Sequence, residues 1–228
     1  MFCTGITYAD SWNELTDAER EWLKQHPVIR LGVDPQWAPF EYVENGQYKG
    51  LAADYIDLVS DQLGIDMQLV PNLSWPQVLS KAQAKELDLL PAAMKSAQRE
   101  TYLNFTSSYL SFPMVIISQR GGSTVRSLEA LRGKTVGVVN QYISHELLLK
   151  NHPDLTLVPV STLTLGLEKL AIGEIDFFVD NVASVSHVIR ALGLTNLQIA
   201  AHTPYSFQLG MAVRDDWPEL VSILDKSL

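Results

Sequence analysis

Apolar positions along this chain switch between two periods. Between residues 51 and 63 they recur at Leu51, Tyr55, Leu58, Val59 and Leu63, the spacing of one helix face, and Gly64 supplies the C-cap. Mostly apolar runs at 28–33, 67–70 and 87–94 instead suggest buried strands of a mostly parallel sheet. Ser74 opens a second helix through about Lys85, with Pro76 tolerated in its first turn. Upstream, Thr16 and Glu19 have capping-box spacing before a short helix that Pro27 stops, and Glu44-Asn45-Gly46-Gln47 is a hairpin-type turn. The first part of the chain therefore predicts β-α-β-α-β.

After Phe105 a long extended run covers 113–118, and the first pattern then starts again. Ser127 opens a short helix, 134–139 is a strand and 142–150 a helix; 156–160 is a strand and 162–172 a helix ending at Gly173. The segment Lys85-Glu86-Leu87-Asp88-Leu89-Leu90 is echoed by Gly173-Glu174-Ile175-Asp176-Phe177-Phe178, each leading a strand into a polar turn. Asn181 caps a helix over 182–192 that Gly193 ends; 206–213 is a second extended run and 217–228 a final helix. The expected fold class is α/β, as two Rossmann-like lobes with mostly parallel sheets rather than one continuous sheet. The extended runs are read as crossings between them. The expected division is a lead-in over 1–26, a first lobe over 27–112 and 209–228, and a second lobe, 113–208, inserted into it.

Composition removes several functions. The 228 residues carry a net charge of −9 and no basic run, so nucleic acid and anionic membrane surfaces are poor partners. Cys3 is the only cysteine, which excludes an internal disulfide or a thiolate metal cluster. No apolar stretch approaches the roughly twenty residues of a membrane span. Residues 1–10 lack the basic start and apolar middle of a signal peptide, so a role outside the cytoplasm requires a longer parent chain.

Catalytic chemistry finds no motif. There is no Gly-x-Ser-x-Gly elbow, no His-x-x-x-His pair and no Gly-Lys-Ser phosphate loop, so no catalytic residue, metal site or cofactor is expected. Binding chemistry is better served. The 87–94 run breaks into a polar turn carrying Arg99, whose planar fork suits a carboxylate; the alternative is a surface arginine pairing with Glu100. Asp180 follows the apolar strand 176–179 and is either an N-cap, a role Asn181 shares, or a charge awaiting a ligand. Trp37, in the Pro-bracketed loop after Asp34, and Trp75 are either ligand-stacking or core. Asn140-Gln141-Tyr142-Ile143-Ser144 leads into a helix whose amino end attracts anions. His145 and Glu146 are read as a solvated helix face.

With these positions in place, the chain resembles the type II periplasmic solute-binding fold of the amino-acid-binding class. The resemblance is carried by Gly32-Val33-Asp34-Pro35-Gln36-Trp37-Ala38-Pro39-Phe40-Glu41, Gly50-Leu51-Ala52-Ala53-Asp54, Gln98-Arg99 with Asn104-Phe105-Thr106, Gly133-Lys134-Thr135-Val136-Gly137-Val138 and Phe178-Val179-Asp180. The lead-in 15–27 and Asp88-Leu89-Leu90-Pro91 look more specifically like the Venus-flytrap sensor domains of membrane-bound histidine kinases and cyclic-di-GMP enzymes.

The resemblance implies that Arg99 clamps a ligand α-carboxylate and Asp180 takes its α-ammonium. Trp37 and Trp75 line the side-chain pocket, Asn140, Gln141, Tyr142 and Ser144 add hydrogen bonds from the second lobe, and Asp34, Met94 and Lys95 complete the lining. Met94 stands where amino-acid binders usually carry Ser or Thr, and Tyr142-Ile143 replace small hydroxyl residues; both changes remove donors to a carboxylate. The implied ligand is a small amino acid or carboxylate, enclosed by a hinge near 111–114 and 200–208. The implied setting is a periplasmic, membrane-tethered, non-enzymatic sensor domain that pairs as a homodimer. The alternatives are a free receptor of an ABC amino-acid transporter and an enzyme on this fold resembling cyclohexadienyl dehydratases or the binding module of a lytic transglycosylase.

Overall fold

The structure is a computed structural model describing residues 11–122 and 124–228; Cys3 and the 1–10 segment lie outside the described residues. A short helix α1 (Ser11–Glu14) precedes α2 (Asp17–Gln25). The expected capping box forms, with the Glu19 backbone N–H donating to Thr16 Oγ1 and Glu19 Oε2 accepting from Thr16 N at 2.7 Å. Lys226 Nζ and Ser222 Oγ also donate to Glu19 at 2.7 Å, so α2 is docked on the last helix.

The first unit comprises β1 (Val28–Leu31), a small sheet of β2 (Gln36–Trp37), β3 (Glu41–Glu44) and β4 (Gln47–Lys49), α3 (Leu51–Leu63), β5 (Asp66–Leu69), α4 (Trp75–Gln83), β6 (Leu89–Met94) and β7 (Leu103–Phe105). Glu44 pairs with Gln47 across a two-residue loop in which Asn45 and Gly46 both have positive φ, the backbone of a type I′ hairpin. Gly50 starts α3 at φ +110°, where a Cβ would lie 2.5 Å from the Phe40 carbonyl oxygen. A short 3₁₀ turn over Arg99–Thr101 leaves β6.

The long strand β8 (Leu110–Gln119) leads to the second unit: a 3₁₀ turn at Leu128–Leu131, β9 (Thr135–Val139), α5 (Ile143–Asn151), β10 (Thr156–Val160), α6 (Leu163–Ala171), β11 (Phe177–Asn181) and α7 (Val182–Leu192). The chain returns through β12 (Leu197–Arg214) and closes with α8 (Pro218–Ser227).

The two α/β units are not separate sheets. One sheet runs β10-β9-β11-β8-β12-β6-β1-β5, with β7 on β12; neighbours within each unit are parallel, and β8 and β12 are antiparallel to theirs. The expectation of two sheets fails because β12 is far longer than the run over 206–213. Its first half pairs with β8 from Leu197 to His202, and after a register shift around Thr203–Tyr205 pairing resumes from Ser206 to Leu209.

One apolar core fills the space among both units, and a second lies between β1, α3 and α8. In the first, Phe178 is fully buried against two glycines; a Cβ on Gly166 would sit 2.1 Å from its ring. Close approach of helix α6 to the sheet therefore depends on glycine there.

Candidate functional site

The carboxyl ends of β6, β9 and β11 and the loop after β1 converge where the two units meet. This is where open α/β sheets place their ligands. The loop after β1 is held by its own carboxylates. Asp34 Oδ1 accepts from the Gln36 backbone N–H at 2.9 Å, and Glu41 Oε1 accepts from Asp34 N–H at 2.8 Å. Both acids are buried. Burial pushes the Asp34 carboxyl up to about 6, against the hydrogen bonds from Tyr142 and Gln36. Burial likewise raises Glu41 well above the ordinary carboxyl range.

Arg99 lies in this region, 3% exposed, and every nitrogen of its guanidinium is engaged. Nη1 donates to the Met94 carbonyl at 3.2 Å, and Nη2 to the Gln141 carbonyl at 3.1 Å. Nε and Nη2 both donate to Glu146 Oε1, at 3.1 and 2.8 Å. The guanidinium also lies 5.4 Å over the Trp75 ring. Its carboxylate partner is thus supplied by α5 of the second unit, and Glu100, the alternative partner, pairs with Lys95 at 2.7 Å.

Further contacts cross the same gap. Trp75 Nε1 donates to the Gln141 carbonyl at 3.2 Å, and the Tyr142 hydroxyl donates to Asp34 Oδ2. Gln141 has φ +60°, an unusual conformation for a residue with a side chain. Its carbonyl serves both Trp75 and Arg99.

Asp180 is fully buried at the end of β11. Its Oδ1 accepts from Asn181 N–H at 2.6 Å, while Oδ2 has no partner. Burial pushes its carboxyl up to about 7, with the Asn181 hydrogen bond opposing and the Asp34 charge adding. The helix-capping role belongs to Asn181, whose Oδ1 accepts from Ala183 and Ser184 N–H. Ser144 Oγ and Trp37 Nε1 are also buried without partners.

Asp34, Trp37, Trp75, Met94, Arg99 and Tyr142 surround a common cavity together with Ala92, Ala93, Ile143 and Phe207, but its volume is only about 20 Å³, room for about one water. Ring centroids of Trp37 and Tyr142 are 5.9 Å apart, and those of Trp75 and Tyr142 6.4 Å. Lys95 instead points outward, its side chain 63% exposed. Asn140 is exposed, with its backbone N–H on the Val160 carbonyl.

Two corrections follow. Glu146, read from sequence as part of a solvated helix face, is the ion-pair partner of Arg99. The cleft expected to separate a guanidinium from a carboxylate is here filled by the chain's own side chains. Nothing in the local sequence around Glu146 signals its role, because its partner lies far away in the chain; only the i, i+4 spacing from Tyr142 places it on the cleft-facing turn of α5.

The family model for bacterial extracellular solute-binding proteins, family 3, matches residues 29–228. The chain belongs to that family. It is 26% identical over 212 residues, 92% of its length, to the virulence sensor protein BvgS of Bordetella bronchiseptica. It spans only 17% of that relative. It is 24% identical over 206 residues to a putative ABC transporter arginine-binding protein 2 of Escherichia coli, covering 88% of this chain and 84% of that protein. A crystallised histidine kinase sensor domain with similarity to periplasmic binding proteins superposes with a TM-score of 0.83 at 26% identity, over 90% of each chain. The fold is therefore that of type II periplasmic binding proteins, and the relatives named are a sensor protein, a transporter binding protein and a sensor domain. No helix among the described residues is long and apolar enough to cross a membrane, and no group of His, Cys, Asp and Glu among them is arranged to hold a metal ion.

Proposed function

We propose that this chain is the extracytoplasmic ligand-sensing domain of a transmembrane signalling receptor, tethered to the inner membrane, facing the periplasm and working as a homodimer. Its lobes, 27–112 with 209–228 and the inserted 113–208, move about β8 and β12 and enclose a small molecule between Arg99 and Asp180. The observation that carries this reading is the set of contacts across the gap: Arg99 to Glu146 and Gln141, Trp75 to Gln141, Tyr142 to Asp34. Such contacts need the lobes together, and in this reading a ligand biases the balance between that arrangement and an open one by its differential affinity. A full population shift needs about 5.5 kcal/mol, and hydrogen bonds to charged groups contribute about 1.5 to 3 kcal/mol each. The docking of α2 on α8 through Glu19 supports the sensor reading, since it gives α8 a fixed frame through which lobe movement is passed on.

The test is a thermal-shift screen of small acids, amino acids and amines, repeated with Asp180→Asn, alongside a reporter for the full-length receptor. A ligand that stabilises the domain, loses its effect in the variant and changes receptor output supports the reading. No stabilising ligand together with unchanged output counts against it. A free transport receptor is the second reading, favoured by the near full-length match to the arginine-binding protein; a reporter that never responds to a ligand that binds would favour it.

A further inference from the structure

Residue 142 is the N-cap of α5, a position that favours Ser, Thr, Asp or Asn because a short side chain there accepts from the first free backbone N–H groups. Tyr142 makes no such bond. Its side chain instead reaches into the opposite unit and is buried there, 7% exposed. The ring meets Trp37 and Trp75 edge-on, at interplanar angles of 67° and 83°, a favoured geometry for aromatic pairs. Beyond the ring, the hydroxyl donates to Asp34 Oδ2, while Asp34 Oδ1 accepts from Gln36 N–H. Burial and the Asp34 charge hold the phenol well above its ordinary range, so it stays a donor. One turn further along α5, Glu146 ties the same helix end to Arg99 of the first unit. The space left between these groups is that of about one water.

We propose that the Tyr142 side chain is a tethered occupant of the aromatic site, an internal contact that shuts the cleft without a guest. The inference rests on the ligand-binding reading above and deepens it by naming how that site is regulated. Two indole walls and a carboxylate at the far end form a seat for a phenol, and the chain supplies the phenol itself. With room left for only about one water, a guest reaches Trp37 and Trp75 only as Tyr142 withdraws, so occupation of the site competes with the resting contact. A ring that merely filled the interior of its own unit would leave the lobes together when removed. A ring that spans the gap holds them, and its removal lets them part.

Chemical replacement of the missing ring tests this. The probe is p-cresol, which is the tyrosine side chain cut free at Cβ, with toluene as the partner that lacks the hydroxyl. Tyr142→Gly is expected to lower the melting temperature by about 5 °C or more, and p-cresol at about a hundred times its Kd to return at least about half of that loss. Toluene leaves Asp34 Oδ2 unanswered and is expected to bind about tenfold more weakly. The wild type, its seat filled, is expected to respond to neither. The distance between spin labels at Gln83→Cys and Leu149→Cys, exposed positions on the two units, in a Cys3→Ser background separates a plug from a core residue: it is expected to lengthen in Tyr142→Gly and to shorten again with p-cresol. If Tyr142→Gly is too unstable to fold alone, folding on addition of p-cresol in preference to toluene is the same result. An unchanged distance in Tyr142→Gly, no recovery of that variant with p-cresol whether it folds or not, or p-cresol stabilising the wild type as well as the variant overturns the role of Tyr142. Each of these leaves the ligand-sensing reading standing, since that reading turns on the response of receptor output to a ligand.

Discussion

Between about pH 5 and pH 8 the buried carboxyls at the cleft are expected to make the stability of this domain fall as pH rises, opposite to the contribution of carboxylates held in ion pairs. In the unfolded chain an Asp carboxyl is already ionised at about pH 5. In the folded domain Asp34 holds its proton up to about 6 and Asp180 up to about 7, because burial penalises the charged form. A raised folded value means that the folded state binds more protons, so its stability is full below the unfolded value and is lost as pH climbs through the folded one. At about 1.4 kcal/mol for each pH unit, the loss between about pH 5 and pH 8 is about 4 kcal/mol, most of it from Asp180. Glu41, also raised by burial, adds to the same direction. His145, whose ring is held below its ordinary value by burial, works the other way.

Comparison with Asp180→Asn removes the contributions common to both proteins. Urea unfolding followed by tryptophan fluorescence at about pH 5 and pH 8 is expected to show the wild type losing about 4 kcal/mol or more across this window. The variant should lose less by about 2 to 3 kcal/mol. A wild-type stability that is flat or rises over that interval, or a variant with an unchanged slope, refutes the burial of these acids in the folded state.

Other outcomes follow from the packing and the caps. Gly50→Ala places a Cβ 2.5 Å from the Phe40 carbonyl oxygen at φ +110°, and an expected loss of about 2 kcal/mol or more is measurable by chemical denaturation. Phe178→Ala, emptying the space against Gly137 and Gly166, is expected to cost about 3 to 5 kcal/mol in the same assay. Glu19→Gln keeps the capping geometry but removes the charge facing Lys226; hydrogen exchange should quicken in α2 and α8 while β6 and β11 keep their protection.

Local signals in the sequence located most of the elements. The helical face ending at Gly64, the Thr16–Glu19 box and the Asn181 cap are each complete within a few residues, so their physics is visible without the fold. Strand β12 was legible only in its second half. The stretch from Leu197 to Tyr205 has neither a strong alternation nor an unbroken apolar run and carries Pro204; its pairing partner, β8, lies some eighty positions earlier. The same distance effect explains the site. Arg99, Asp180 and the tryptophans were identifiable by their strand ends and loops, but Arg99 meets Glu146 across 47 positions, and Tyr142 meets Asp34 across 108. No local pattern reports such a pair. A glutamate on a short helix looks solvated until the opposite unit is placed against it.

The closed arrangement held by Arg99 and Glu146 is tested most directly by an interlobe distance. Spin labels introduced by Gln83→Cys on α4 and Leu149→Cys on α5, with Cys3→Ser, stand on exposed positions on either side of the groove outside Arg99. Double electron–electron resonance on the ligand-free domain is expected to give one narrow, short distance, and Glu146→Ala a broader distribution at longer distance. A long distance in the unsubstituted pair, or an unchanged distribution after Glu146→Ala, contradicts the account.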